Sequence, residues 1–486
     1  MSIPVREQSA KSRLPVRAKQ HRFRQATLQE KAVVVEVPQI TPDQQIMGQL
    51  VSADVLRQLA RCCDADDVRH RKLTCVVFFW MAVLAFGPGG VVSLQHLGTY
   101  AFVAHLVAGV NIGFATLSKE AISENFRERP WQFFAGVLSY LLTTYTELWQ
   151  RLAGQPNALI VEQLQVWLID ATVMRVATRL FQLFPARSTG KRQKWAGVKL
   201  HLGLRLFRSL PEVLALTPEK QNEHRNNFLR PAGAAVLYIF DLGYWTYRVF
   251  DTILERGQHF LSRLRQDCNP LILEVKLGDP LWVGQRLKGV MLTGQKVDLI
   301  VHLSSNNIAH PQMCHDVRLV GQYLEQEQAW HLYVTSLLNS ALYPIGVLVD
   351  LYRLRWQIEI LFRNLKCVLR IANLVSTTEN GIRIQIYATL IHYVLTHLVI
   401  LKAMQTTGHK FEDFSIPYCL DAVQQVLQLT GQLVMKGSCP DWDQLEAQLL
   451  RVVITKGLRP NRKRERLITA VKAQLQTAVS APTGGP

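Results

Sequence analysis

QVWLIDAT (165–172) is where the character of the chain changes. Four apolar residues, Val166–Ile169, run into the acid Asp170, which reads as a short buried strand closed by a carboxylate. Before it, residues 46–155 follow a helical pattern, with Ser52 and Ser118 placed to cap ADVLRQLARCC and KEAISENFRE. After it, GVKLHLGLRLF (197–207) alternates like a half-buried strand, and LPEVLALT (210–217) follows closely. AAVLYIFDLGYW (234–245) repeats the first pattern, an apolar strand closed by Asp241. TYRVFDTILERG (246–257) then reads as a helix ended by Gly257, and QHFLSRLR (258–265) as one more strand. The order is three strands, a helix, a strand, a helix and a strand, which predicts an α/β fold with a mixed sheet covered by helices. Residues 270–345 carry short β-like runs, LILEVKL, KVDLIVHL and AWHLYVTSL, and form a β-rich insertion on this reading.

The chain has 486 residues, 48% hydrophobic and 19% charged, enough for two or three domains with full cores. Its eight cysteines show no CxxC and no zinc-type pairing with histidine, so reduced thiols in a cytoplasmic protein are expected. The basic, polar start has no apolar h-region and is not expected to be a signal peptide. The apolar stretch 73–94 is interrupted by Gly87-Pro88-Gly89-Gly90, leaving the 14 residues Leu73–Phe86, which fit a buried core helix better than a membrane span. The net charge of +18 is concentrated. Residues 1–31 hold eight Lys/Arg against two acids, residues 175–208 nine against none, and residues 456–472 seven against one. Three such patches point to a polyanion, with nucleic acid ahead of an anionic membrane surface.

LYRLRWQIEILFRNLK (351–366) reads as one helix of unusual polarity. At roughly 100° per residue, Tyr352, Arg355, Glu359 and Lys366 fall within about 60° of one another, beside an apolar stripe of Ile358, Leu361, Phe362, Leu365 and Leu369. Alone, this reads equally well as an amphipathic helix with an ordinary Arg355–Glu359 pair and as the border of a functional cleft. With Asp170 and Asp241 it becomes a set of three carboxylates suited to a hard divalent cation, magnesium first and manganese as a substitute. Two such ions can hold the attacking and departing oxygens of a phosphodiester displacement. Asp170, Asp241 and Glu359 are then the catalytic, metal-binding residues, and Tyr352, Arg355 and Lys366 hold the DNA backbone, with Arg353 and Arg363 adding to the field.

The spacing Y-x2-R-x3-E-x6-K resembles the YREK signature of insertion-sequence transposases of the DDE class, in the IS-four-like group. IDAT and FDLGYWTY stand where that family places its first and second catalytic Asp, here Asp170 and Asp241, and FLSRLR with Arg263 is similar as well. The resemblance spans about 160–400. It implies an RNase H-like core with a β-rich insertion between the second Asp and the Glu, and a homodimer that pairs two transposon ends of double-stranded DNA. The implied chemistry is metal-dependent cleavage at those ends, then strand transfer of the 3′-hydroxyls into target DNA, through a hairpin in some relatives. NEHRNNF (222–228) departs from the family, with Glu223-His224-Arg225 where a His-Asp pair is expected.

The expected organisation is a flexible basic arm (1–45), a helical region with a part in end recognition (46–155), the core in two parts (156–269 and 346–404) around the insertion (270–345), a helical region (405–475) and a flexible tail (476–486). Lys199 and His201 share a side of their strand and either touch phosphate or face solvent. Tyr244 and Trp245 fit core packing better than base stacking, and so do Trp282 and Trp330. The run 459–466 is a DNA contact or a solvated segment. Two rival functions stay open: a metal-dependent nuclease without strand transfer, and an inert DNA-binding protein, whose mark would be a lost acid.

Overall fold

The computed structural model describes residues 51–67, 73–87, 93, 97, 100, 117–152, 164–187, 194–206, 209–223, 229–233, 235–303, 313–435, 442–459 and 470–471. The expected arm 1–45, the tail 476–486 and most of the basic run 459–466 lie outside these residues. Four helices come first: α1 (Ala53–Cys62), α2 (Cys75–Ala85), α3 (Lys119–Glu128) and α4 (Gln132–Leu152). Ser52 and Ser118 cap α1 and α3 as expected, each accepting from a backbone N–H three residues on. Every residue of α2 is buried, so the apolar run it carries is core.

The strands are β1 (Gln165–Val176), β2 (Ala196–Arg205), β3 (Leu210–Pro218), β4 (Val236–Phe240), β5 (His259–Arg263), β6 (Leu271–Leu277), β7 (Lys296–His302), β8 (Asp316–Leu324) and β9 (Ala329–Thr335). They form one sheet in the order β3-β2-β1-β4-β5-β9-β8-β7-β6. β1, β4 and β5 run parallel, β2 antiparallel to β1, and β3 antiparallel to β2, the strand plan of an RNase H-like core. Helix α5 (Tyr247–Glu255) joins β4 to β5. The insertion is β-rich as read, but its strands extend the core sheet, because β9 pairs along β5. Where a helix was read between β3 and β4, the described residues 219–223 and 229–233 contain no α-helix.

Alternation sorts the side chains between two covered faces. On the front, Leu168, Leu202 and Ile239 join the main core with the helices, and on the rear Trp167, Ile169, Tyr238 and Phe240 pack with Phe250 and Ile253 of α5. β2 is therefore buried on both sides except at Arg205, not half-buried as its alternation suggested. Its rear residues are small or bonded: Gly203 lies under the Trp167 ring, and His201 is held by Tyr244 and Thr217.

Beyond β9 come α6 (Ile345–Arg353), α7 (Trp356–Arg363), α8 (Glu379–Thr407), α9 (Ile416–Met435) and α10 (Trp442–Val452). α8 is long and apolar enough to cross a membrane, with a mean hydropathy of 1.6, yet its apolar window is entirely buried by the surrounding helices. Asn380 fixes its start. The amide donates to the carbonyls of Phe126 (2.9 Å) and Arg129 (2.7 Å) and accepts from Trp131 N–H (3.1 Å). Asn380→Ala leaves those groups unpaired at a half-buried junction, and chemical denaturation should register a loss of about 2–3 kcal/mol. A loss under about 0.5 kcal/mol would mean water replaces all three bonds.

Candidate active site

Asp170 is not at a strand end, as its sequence context suggested. β1 continues to Val176 because β2 goes on pairing with it, from Asp170↔Leu202 to Val176↔Ala196. What ends at that point is β4, whose last pair with β1 is Ile169↔Phe240. Asp241 follows Phe240, so the next step of the same parallel register brings Asp170 and Asp241 side by side on the front face, with adjacent strands ~4.8 Å apart. Each carboxylate accepts the N–H of the residue after it at 2.7 Å. Asp241 is exposed and caps a one-turn 3₁₀ helix, Leu242–Tyr244.

The third acid arrives on α7. The stretch expected as one helix is broken: Arg355, Gln357 and Ile358 each bond back three residues, which tightens the turn between α6 and α7. After Arg363 the helix widens into a π turn over Asn364–Val368. Tyr352, Arg355 and Glu359 still meet. Arg355 donates to Glu359 Oε1 at 2.7 Å, and its guanidinium lies 4.0 Å from Asp170 Oδ2. It also sits 5.9 Å from the centroid of the Tyr352 ring, which packs on Tyr333 (4.9 Å). Arg355 thus bridges the acid on the sheet and the acid on the helix.

Burial pushes the Asp170 carboxyl up to about 6. Asp241 and Glu223 add to this, while Ala171 N–H and Arg355 oppose it. Burial also pushes the Tyr352 hydroxyl up to about 12, so it is a proton donor at neutral pH. Desolvation is the first cause of both shifts, and the negative charge of Asp241 and Glu223 adds to it at Asp170. The donors are carboxylate oxygens, the chemistry a hard divalent cation takes, and a cation would relieve the repulsion that burdens Asp170. The three acids are wider apart than one shared ion would draw them. Among the described residues, the one trio of ligand atoms within 4.8 Å of one another is Asp66, Asp67 and Cys75. That trio is a helix cap: both Asp67 oxygens accept Cys75 N–H, and burial pushes the Cys75 thiol up to about 12.

The remaining sequence candidates separate. Arg263 ends β5 exposed, with its charge felt at Tyr352 and Tyr333. Arg353 is exposed and paired with Asp350 at 3.1 Å, Arg363 is exposed at the end of α7, and Lys366 is exposed in the π turn. Lys199 corrects the sequence reading, being neither solvent-facing nor open to phosphate. It is 4% exposed, and its ammonium donates to Gln221 O (3.0 Å) and Glu223 Oε1 (3.2 Å). Tyr244, Trp245 and Trp282 are buried, and Trp330 packs on Tyr323. The sequence reading missed Glu223 and Tyr333 as neighbours of the site. The departure in NEHRNNF was the only signal for Glu223.

Residues 162–395 match the model of the transposase DDE domain family. A putative transposase, y4zB, of Sinorhizobium fredii is 26% identical over 215 residues, 44% of this chain and 55% of that protein, so the match covers about half of that relative. The transposase for insertion sequence element IS231F of Bacillus thuringiensis subsp. israelensis is 23% identical over 343 residues, 62% of this chain and 68% of the relative. A piggyBac transposase synaptic complex with hairpin DNA matches 86% of this chain and 84% of its own at 11% identity and a TM-score of 0.36, too distant to bear on this protein.

Proposed function

We propose that the chain, whose residues 162–395 match the transposase DDE domain family, is an insertion-sequence transposase of the DDE class that cleaves DNA at the ends of its own element and joins the freed 3′-hydroxyls to target DNA. What supports this is the parallel register of β1 and β4, which sets Asp241, the residue just past β4, beside Asp170, with Glu359 tied in through Arg355. Asp170, Asp241 and Glu359 would hold divalent metal, magnesium with manganese as substitute, as two ions. When bound, the metal lowers the pKa of the attacking hydroxyl and neutralises the departing oxyanion.

The chain's own residues do the rest. Arg355 holds Glu359 and Asp170 together through charge, and it is placed to turn to a phosphate once a cation takes over that task. Tyr352, kept protonated, donates to a phosphate oxygen. Arg263, Arg353, Arg363 and Lys366, all exposed, supply a basic rim that draws the DNA backbone to the acids. Two copies, each holding one end, would form the synaptic homodimer, working in a bacterial cytoplasm on chromosomal DNA. The first helical region would recognise the ends.

Purified protein incubated with magnesium and DNA carrying the element's ends should yield nicked and then joined products. Cut DNA without joined product would favour the nuclease reading, and neither product the inert one. Arg355→Ala and Lys366→Ala should each weaken engagement of the cut end by roughly ten-fold. Unchanged cleavage and synapsis in both variants would return that strip to a surface role.

A further inference from the structure

Behind the two aspartates, on the rear face of the sheet, lies a polar assembly that the front-face site does not use. β2 supplies Lys199 and His201, which stand opposite Val173 and Ala171 of β1. The Lys199 ammonium is buried, and Glu223 is its carboxylate partner. Glu223 also reaches the turn that follows Asp241, because a Cβ added to Gly243 would run into Glu223 Oε2. The next residue, Tyr244, meets His201 Nδ1 at 3.1 Å, and His201 Nε2 meets Thr217 Oγ1 at 3.0 Å. The turn 241–244 is thereby tied to β2, β3 and the segment after β3.

A buried ammonium with one carboxylate partner is a poor way to gain stability, since apolar side chains of similar volume do as well or better. What the pair supplies is a fixed direction. Asp241 is exposed and stands just past the end of β4, so its place depends on the turn it caps. Taking the DDE reading as given, we propose that Glu223, paired with buried Lys199 and seated on Gly243, is a positioning residue that sets the Asp241 turn against Asp170 for cation binding.

Calorimetric titration of the full-length, DNA-free protein with Mn²⁺ tests this, using wild type, Glu223→Gln, Gly243→Ala and Asp170→Asn, with the melting temperature of each recorded. Glu223→Gln removes the charge at constant size. Gly243 has an ordinary backbone conformation, so Gly243→Ala mainly displaces the Glu223 carboxylate while leaving both charges in the protein, which preserves the test if Glu223→Gln does not fold. Both should bind Mn²⁺ roughly 10- to 100-fold more weakly than wild type, the usual effect of losing a group that orients a metal ligand. A pair that only held the fold together would lower the melting temperature and leave the affinity of the folded protein alone. Wild-type affinity in the folded variants overturns the proposal. Asp170→Asn tests the premise separately: wild-type affinity there sinks the acid-site reading itself, whatever Glu223 does.

Discussion

Asp170→Asn is expected to abolish end cleavage, by about a thousand-fold or more, while making the metal-free protein more stable. The two effects share a cause. Burial holds the Asp170 carboxyl at about 6 instead of its ordinary 3.8, so the charged form costs about 3 kcal/mol at neutral pH. The sign follows from proton linkage: the folded state binds the proton more tightly than the unfolded chain, so this group's contribution falls as pH rises from about 4 to about 6 and stays low above that. Asn keeps the size and can still accept Ala171 N–H, but carries no charge to desolvate. Its stability should exceed wild type by about 1–3 kcal/mol at pH 7.5 without divalent metal, and the gain should vanish at pH 4. Asp241→Asn and Glu359→Gln should be as inactive, and in all three DNA binding should stay near wild type because the basic rim is untouched. Gel-based cleavage and binding assays with denaturant melts at two pH values measure all of this. Near-normal cleavage by any of the three with magnesium would remove that residue from the site, and a less stable Asp170→Asn would mean the carboxylate is already balanced.

The largest stability effect should come from the other end of the sheet. Arg318 is wholly buried and pairs with Asp298 through two bonds, Nε to Oδ1 at 2.8 Å and Nη2 to Oδ2 at 2.7 Å. Its remaining nitrogen donates to the carbonyls of Leu337 (3.2 Å) and Tyr343 (2.8 Å). One side chain thus joins β7 and β8 to the segment that leads into α6 and on to Glu359. Arg318→Met strands Asp298 as a buried charge and frees two carbonyls, for an expected loss of about 3–5 kcal/mol. Lysine does not rescue it, lacking the planar fork that fits a carboxylate and two carbonyls at once. The double variant Arg318→Met/Asp298→Leu should recover most of the loss, because the isolated charge, more than the missing attraction, does the damage. Denaturant melts of the three proteins decide it. A single-variant loss below about 1 kcal/mol would class the pair with exposed ones.

The sequence by itself determined the core strands and three of the four strands of the insertion, the order of the three acids and the local pairing of Arg355 with Glu359. All of these depend on period and composition within a few residues: apolar runs that end in Asp, and an i,i+4 spacing that survives a tightened turn. It misplaced Asp170 at a strand end because a run of apolar residues marks only how long both faces stay covered, whereas the strand itself lasts as long as a neighbour offers hydrogen bonds. It likewise left Lys199 facing solvent or phosphate, since alternation says which side a residue takes and nothing about what covers that side. Only the tertiary structure decided that β4 stops one residue short of Asp241, setting the two aspartates abreast. The same holds for the insertion, which continues the core sheet through β5, and for Glu223, which lies behind the site. Each of these is a contact between segments far apart in the chain, fixed by strand register and by the need of buried charges for partners, and no pattern within one segment encodes it.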